Sequence, residues 1–402
     1  MTPTLAVRLT PPGRGGVAVV AVAGPRAIEL VARLSPGAAP APPGPPRLRR
    51  LRDEAGVLDE ALVTVVPASE SPCGTDWVEL HTHGGEAVVA AVLRRLEGLG
   101  ARAGRPADLA RLAVTTGRRG RLEAEAERCL PRAASSYGAR LLLHQLHGAF
   151  ARELADLAGA VRRGGAAAAL PGLERLLRRA RAGRAVHRAT RFFLVGPPGA
   201  GKSTLFNRLL GEERAAVSPE PGTTRDWVEE DLVLSGFPIR LVDTAGLGVE
   251  ADPLQAEAAA VGLRAAARAG LRLLLLDGTR PPPPGLDDLR ARLRPPVLVV
   301  LGKSDLGDPD PAALLFAGES APRVSGVTGA GLEDLRARAL RRLGLRPRPR
   351  PDRAVPFLLR HRRGLRRARE AARAGQGDEV IEHLEHVAGG PLSPASGGLP
   401  GL

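Results

Sequence analysis

Gly196-Pro197-Pro198-Gly199-Ala200-Gly201-Lys202-Ser203 sets glycines, a lysine and a hydroxyl at the spacing of a phosphate-binding loop. The glycines let backbone N–H groups turn inward around phosphates. Lys202 can reach the outer phosphates, and the Ser203 hydroxyl, followed by Thr204, can ligate Mg²⁺. Downstream, an apolar run ends in Asp243-Thr244-Ala245-Gly246. An Asp there can hold Mg²⁺ through water, and the Gly246 N–H can meet a γ-phosphate. Between these two motifs lie Ser218 and the polar loop Pro221-Gly222-Thr223-Thr224-Arg225-Asp226, in which Thr224 would complete the metal shell. Leu301-Gly302-Lys303-Ser304-Asp305 then offers a base reader. A carboxylate accepts from both N1–H and the N2 amine of guanine, and adenine offers no such pair of donors. Asp305 therefore selects GTP over ATP, Lys303 lies across the base, and the loop from Ser325 and Gly326 to Gly331 touches the guanine oxygen. The expected ligands are GTP and Mg²⁺.

These motifs need strands to end at them and helices to start from them. Short apolar runs at Arg191–Gly196, Leu232–Ser235, Ile239–Asp243, Leu271–Asp277 and Val297–Leu301 alternate with helical patterns near Lys202–Leu210, Leu254–Ala269 and Leu332–Leu343. That alternation predicts a largely parallel sheet with helices on both faces, spanning 189–345. Before it, 118–188 is rich in helix formers. Leu141, Leu142, Leu146, Phe150, Leu154 and Leu157 make a stripe with spacings of three and four, that of a bundle core, and Ser136–Ala160 and Leu173–Gly183 are almost all helix formers. Residues 1–117 read as α+β, with apolar runs at Val17–Ala23 and Ala61–Val66, a loop at Ser35–Pro46 and a helix over Glu86–Gly98. After the Arg/Pro linker of 346–353, the segment 346–402 holds a basic amphipathic helix, Phe357–Ala374, and a Gly/Pro/Ser tail expected to fray.

Composition narrows the class. Of 402 residues, 44% are hydrophobic and 25% charged, enough for several packed cores and against wholesale disorder. There is no uncharged apolar run long enough to span a bilayer and no secretory pattern, so the expectation is a cytoplasmic protein without a membrane segment. Two cysteines rule out a disulfide framework. The net charge of +15 fits phosphate contacts and basic solvated faces equally well. Its make-up is more telling: of 58 basic residues only Lys202 and Lys303 are lysine, and both fall in nucleotide motifs. Arginine's planar fork does not replace a point-like ammonium between phosphates.

With these residues in view, roughly 5–375 of the chain resembles the MnmE (TrmE) family of tRNA-modification GTPases. Thr10-Pro11-Pro12-Gly13-Arg14-Gly15-Gly16-Val17, Asp76-Trp77-Val78-Glu79-Leu80 and His83-Gly84-Gly85 look like its N-terminal signatures, and Pro221–Asp226 with Asp243–Leu247 like its GTPase pairing. The resemblance implies an α/β P-loop GTPase domain inserted in a helical domain and preceded by an α+β folate-binding-like domain. It also implies a flavin-dependent MnmG-type partner, tRNA as substrate at the wobble uridine 5-position, a homodimer, K⁺, and a reduced folate met by Glu79 and Arg118. Leu247 stands where Ras-type GTPases carry the glutamine that orients water, so water activation comes from elsewhere. Glu257 is the nearest carboxylate, although alignment puts Ala259 at the family's glutamate.

The chain departs from the family pattern at Gly199 (an asparagine in the family, linked to potassium), Gly302 (asparagine) and Ala21 (arginine), and the ending Gly397–Leu402 lacks the family's cysteine motif. Two readings follow: a GTPase of tRNA modification, or a divergent paralogue that acts as a GTP-dependent switch or an RNA- or ribosome-associated GTPase without folate chemistry. Elsewhere, His81 and His83 read as structural or folate-contacting rather than as metal ligands. Cys73 and Cys129 read as small buried hydrophobes, Trp77 and Trp227 as packing residues. Arg47–Arg52 and Arg360–Arg369 are either phosphate contacts or solvated helix faces.

Overall fold

The computed structural model describes residues 2–13, 15–36, 43–213, 228–243, 270–318, 320–345 and 350–392. Contacts divide the chain into two compact units, one of 1–128 with 388–390 and one of 129–387 with the remaining C-terminal residues. The first unit thus extends past the boundary read at 117.

The first unit is built on a six-stranded sheet. Its strands are β1 (Leu5–Arg8), β2 (Val17–Ala23), β3 (Arg47–Arg52), β4 (Val57–Val66), β5 (Trp77–His83) and β6 (Arg102–Gly104), in the order β3-β4-β5-β2-β1-β6. All neighbours are antiparallel except β1 and β6. Alternation along each strand sends Ala18, Val20, Val22, Ala61, Val63, Val65, Val78 and Leu80 to one face. There α1 (Ala27–Leu34) and α2 (Glu86–Gly98) cover them with Leu30, Val31, Leu34, Val89, Val92 and Leu96. The opposite face carries Leu5, Val7, Ala21, Ala23 and Trp77, packed under Leu109, Leu112 and Ala113 of α3 (Pro106–Thr115). Helix α4 (Arg121–Cys129) follows. Arg47–Arg52 is an edge strand here and not a helix face: its alternate side chains make a helical reading impossible once β4 pairs with it.

In the second unit, the helix formers of Ser136–Ala160 fall in two helices. Gly148 takes φ +81°, which ends α5 (Ser136–Leu146) and restarts the chain as α6 (Ala149–Gly164). Ser135 caps α5 by accepting from the Gly138 N–H at 3.0 Å. With α7 (Leu170–Ala185) these helices bury Leu141, Leu142, Phe150, Leu154, Leu157, Leu173 and Leu176, while Leu146 stays half-buried. The chain then enters the second sheet and returns at 350–358. Buried Gln145 ties that return to α5, donating to the Arg353 carbonyl at 3.0 Å and accepting from the Val355 N–H at 3.1 Å. His361 stacks edge-on against Phe357 (4.7 Å between ring centres) and lies 5.2 Å from Phe150.

The second sheet has five strands: β7 (Thr190–Val195), β8 (Val228–Leu234), β9 (Phe237–Asp243), β10 (Leu271–Asp277) and β11 (Val297–Gly302), in the order β11-β10-β7-β9-β8. It is parallel apart from the β8–β9 hairpin. One face is covered by α8 (Lys202–Glu213), and further along by α11 (Leu332–Arg342), through Leu205, Phe206, Leu209, Leu332, Leu335 and Ala339. The other face is covered by α9 (Leu286–Arg292) and α10 (Pro311–Ala317) through Leu286 and Ala313. Such a two-sided cover explains why β7, β10 and β11 are largely continuous apolar runs, while the edge strand β8 is not. The helix expected at Leu254–Ala269 lies outside the described residues. Two helices follow the return segment: α12 (Leu359–Arg373) and α13 (Gly377–Ala388). The latter corrects the expectation that only a fraying tail follows 374, because Val380, Leu384 and Val387 bury one face of it.

Gly183, inside α7, is where the returning chain comes closest: a Cβ there would sit 2.3 Å from the Pro356 carbonyl oxygen and 2.6 Å from Val355. Gly183→Ala is expected to lower the unfolding free energy by about 1–3 kcal/mol, as overpacking against backbone does. Urea unfolding followed by circular dichroism would show a lowered midpoint; an unchanged midpoint would mean that the return segment does not pack here.

Candidate functional site

Parallel strands release their chain at one edge, and the expected nucleotide motifs within the described residues emerge there. β7 hands over to the glycine loop directly. Gly196 takes φ +153°, and a Cβ on it would lie 2.1 Å from the Leu275 carbonyl oxygen of β10, so this position admits no side chain. Gly199 and Gly201 also have positive φ, but nothing lies within 4 Å of where their Cβ atoms would be, leaving the mouth of the loop open. Lys202 begins α8 and folds back into that mouth. Its Nζ donates to the Gly196 and Pro197 carbonyls at 2.9 and 3.0 Å. Burial pulls its ammonium below the ordinary lysine value, against an upward pull from Asp243. These carbonyls satisfy the cation where an outer phosphate would otherwise do so.

Ser203 donates its hydroxyl to Asp243 Oδ2 at 2.9 Å, joining the start of α8 to the end of β9. Asp243 is buried, and its Oδ1 has no hydrogen-bond partner among the described residues. An alcohol beside a buried carboxylate with one oxygen unsatisfied is an all-oxygen donor set of the kind Mg²⁺ takes. The residues therefore fit the ion. Thr204 is exposed on the first turn of α8.

The base-reading motif closes on the same edge. Gly302 ends β11, and a Cβ on it would lie 3.2 Å from the carbonyl oxygens of Ala200 in the glycine loop and of Leu276 in β10. Three elements converge on this one backbone position. Lys303 follows with φ +61° and donates to Asp277 Oδ2 at 2.8 Å. Asp305 is exposed on the turn Ser304–Leu306 and has no hydrogen-bond partner among the described residues, so both its oxygens are free to accept. Ser325 is fully buried. Its hydroxyl accepts from the Val327 and Thr328 N–H groups, shaping the loop whose Gly326 presses onto the backbone of Thr204 and Leu205.

Asp277 is a site residue that sequence reading missed. It accepts from Lys303 and from the N–H and hydroxyl of Thr279, and Arg280 pairs with it at 3.0 Å. Burial pushes its carboxyl up, and these hydrogen bonds outweigh burial and hold it below the usual range. The available signal was an apolar strand ending in a carboxylate; its register opposite Gly302 was not visible. Ser218, Thr223, Thr224, Thr244, Ala245, Gly246 and Glu257 lie outside the described residues.

In the first unit, Glu79 projects from the face of β5 that also bears Trp77 and His81. It accepts from Trp77 Nε1 at 3.1 Å and meets His81 Nε2 at 3.2 Å. Trp77 is a packing residue whose indole N–H is spent on this chain of contacts. Arg118, exposed just beyond α3, makes no hydrogen bond or ion pair with Glu79. His83 turns to Asp59 at 2.6 Å, which raises its pKa through that hydrogen bond and charge. The two histidines thus engage different carboxylates. Cys73 is buried, and burial pushes its thiol up to about 11. No helix among the described residues is long and apolar enough to cross a membrane.

Comparison with known proteins matches both parts of the chain. The family described as "GTP-binding protein TrmE N-terminus" matches residues 4–118, and "50S ribosome-binding GTPase" matches 191–303. The chain is 37% identical to the "tRNA modification GTPase MnmE" of Alkalilimnicola ehrlichii over 359 residues, 83% of this chain and 80% of that protein. It is also 37% identical to that of Halorhodospira halophila over 437 aligned positions, 96% and 90%. Among solved structures, Era of Aquifex aeolicus bound to GDP·AlF4⁻ is similar at 25% identity, covering 46% of this chain and 67% of that one, with a TM-score of 0.32.

Proposed function

The chain belongs to the MnmE family of tRNA modification GTPases and is a GTP-binding GTP hydrolase, and from that premise we propose that it serves modification of the wobble uridine 5-position in tRNA. In this reading the partner is a flavin-dependent MnmG-type protein, the chain is a homodimer, and a reduced folate is the one-carbon donor. The GTPase domain sits as an insertion in a helical domain made by α5–α7 and α12. The observation that carries the reading is that one chain holds both the glycine loop and base-side turn at one sheet edge and an N-terminal region, residues 4–118, matched to TrmE.

Roles follow from position. The 196–201 backbone cradles the phosphates and Lys202 moves from its two carbonyls to the outer phosphates. Ser203 and Asp243, with Thr224, would hold Mg²⁺, which supplies charge neutralisation at the phosphates. Thr244–Gly246, Ser218 and Thr223 complete the nucleotide contacts, Asp305 reads guanine, Lys303 covers it, and Ser325 and Gly326 shape the loop behind it. Glu79, set by Trp77 and His81, and Arg118 are the folate-side candidates. The water-positioning group is unassigned, with Glu257 the one candidate carboxylate.

A second reading, a GTP-dependent switch without folate chemistry, is favoured by Gly199. Its left-handed φ of +71° is one that asparagine tolerates, yet glycine offers no side-chain oxygen for K⁺. Expression in a bacterium lacking its own tRNA-modification GTPase separates the two. Mass spectrometry of tRNA nucleosides should show the modified wobble uridine restored. Its absence, with soluble chain and GTP binding demonstrated, would leave the switch.

A further inference from the structure

The sequence left Arg360–Arg369 open between phosphate contacts and a solvated helix face. In the folded chain α12 lies against α7, and the charged side chains facing the space beside them are mostly arginines from both helices, with Glu174 and Glu370 among them. Two adjoining cavities, of about 610 and 1120 Å³, share Arg181 and Arg362 and so form one groove. Along α7 the arginines recur at 178, 181 and 184, one helical turn apart, and Arg188 and Arg191 continue the line to the start of β7. Along α12, Arg362, Arg366 and Arg369 face them.

Three observations set this groove apart from the general basicity of the chain. First, Arg178, Arg181, Arg184, Arg188, Arg362 and Arg366 have no carboxylate within ion-pair distance among the described residues. Arginines elsewhere do: Arg8 with Glu86, Arg26 with Glu29, and Arg50 with Glu60; at the groove's rim Arg240 is paired with Asp231. A nearby cleft at 149–156, 175–179 and 352–354 nearly balances its arginines with Glu153, Asp156 and Asp352, whereas in the groove Glu174 and Glu370 leave a large excess of arginine. Second, Arg362 is half-buried and its positive charge is disfavoured by burial and by Arg366, Arg181 and Arg184, so the cations repel one another across the groove. A fold that holds like charges together gives up stability, which a polyanion would restore. Third, the groove borders Ala189–Arg191, where β7 begins, whereas the glycine loop follows its end. Six residues of strand, about 20 Å, separate it from the nucleotide edge. It is therefore no part of the GTP site.

We propose that the groove between α7 and α12 binds the phosphodiester backbone of RNA. Guanidinium groups match phosphate oxygens two at a time, and two arginine rows spaced by helical turns suit a chain of phosphates better than a single anion. The proposal rests on the reading that this GTPase acts on tRNA, and it places one contact surface for that substrate.

The test is fluorescence anisotropy of the full chain with an unmodified tRNA transcript, titrated between 50 and 200 mM KCl. The double variant Arg181→Gln/Arg366→Gln removes two exposed arginines that have no ion-pair partner among the described residues. It is expected to weaken binding about tenfold or more and to flatten the slope of log K against log salt by about 1.5, since each phosphate left without its arginine lowers the slope by about 0.7–0.9. Its GTP hydrolysis is expected to stay at the wild-type rate and its thermal midpoint to hold or rise. Arg47→Gln/Arg52→Gln removes the same charge from an edge strand of the first unit and should leave both affinity and slope close to wild type.

Equal losses in the two double variants would mean diffuse attraction and overturn the groove, as would unchanged binding in the first. Polyglutamate binding that requires Arg181 and Arg366 while tRNA binding does not would assign the groove to an acidic protein instead. Because tRNA modification is read separately by nucleoside analysis in cells, a chain that restores the nucleoside yet binds tRNA without these arginines overturns the groove alone.

Discussion

Lys202→Arg is expected to lower kcat/KM for GTP by about a hundred- to a thousandfold, nearly as much as Lys202→Ala, although it preserves charge. The Nζ of Lys202 reaches two carbonyls, of Gly196 and Pro197, from a half-buried position inside a loop whose Gly196 already touches β10. A guanidinium is wider, planar and five-donored, and it cannot occupy a space cut for one ammonium. The magnitude follows from what one preorganised donor on developing phosphate charge is worth. The experiment is steady-state GTP hydrolysis with melting curves to confirm folding. A chain with 56 arginines by difference from its 58 basic residues makes the substitution a fair one. Wild-type turnover in Lys202→Arg would remove the argument that the two lysines persist for chemical reasons.

Asp305→Asn should exchange the base that is read. The exposed carboxylate has both oxygens free, matched to the N1–H and N2 amine of guanine. An amide keeps one acceptor and presents a donor to the other group, so one charge-assisted bond is lost and a donor faces a donor. At about 1.5–3 kcal/mol for the charged bond, with the clash added, GTP affinity falls about a hundred- to a thousandfold. Xanthosine triphosphate, with a carbonyl where guanine has its amine, should bind the variant better than GTP does. Competition between the two triphosphates measures this directly. A variant that still prefers GTP would mean that Asp305 does not face the base.

Local spacing made the site legible. A glycine loop between strand and helix needs no distant partner to be recognised, since its chemistry lies within eight consecutive residues. The same holds for Asp305 after its strand. The central strands β7, β10 and β11 of the second sheet were also plain, because burial on both faces makes them largely continuous apolar runs, whereas β8 carries Glu229, Glu230 and Asp231. The first unit was harder. Its strands are covered fully on one face only, and β3 reads Arg-Leu-Arg-Arg-Leu-Arg, a pattern that says nothing of strand until β4 lies beside it. The break at Gly148 was hidden by strong helix formers on both sides, and α13 by the polar tail around it.

The sequence by itself determined the nucleotide class and the family and named candidate metal ligands, because these depend on residue types at short fixed separations. Tertiary structure decided which residues meet. Asp277 grips Lys303 only because β10 and β11 pair in one register, and Gly302 sits under Ala200 only because three chain ends converge at one edge. The arginines of α7 and α12, nearly two hundred residues apart, become one groove only when the chain returns past Gly183 to lay the second helix against the first. Contacts of that kind arise from packing between distant segments, and no local pattern encodes them.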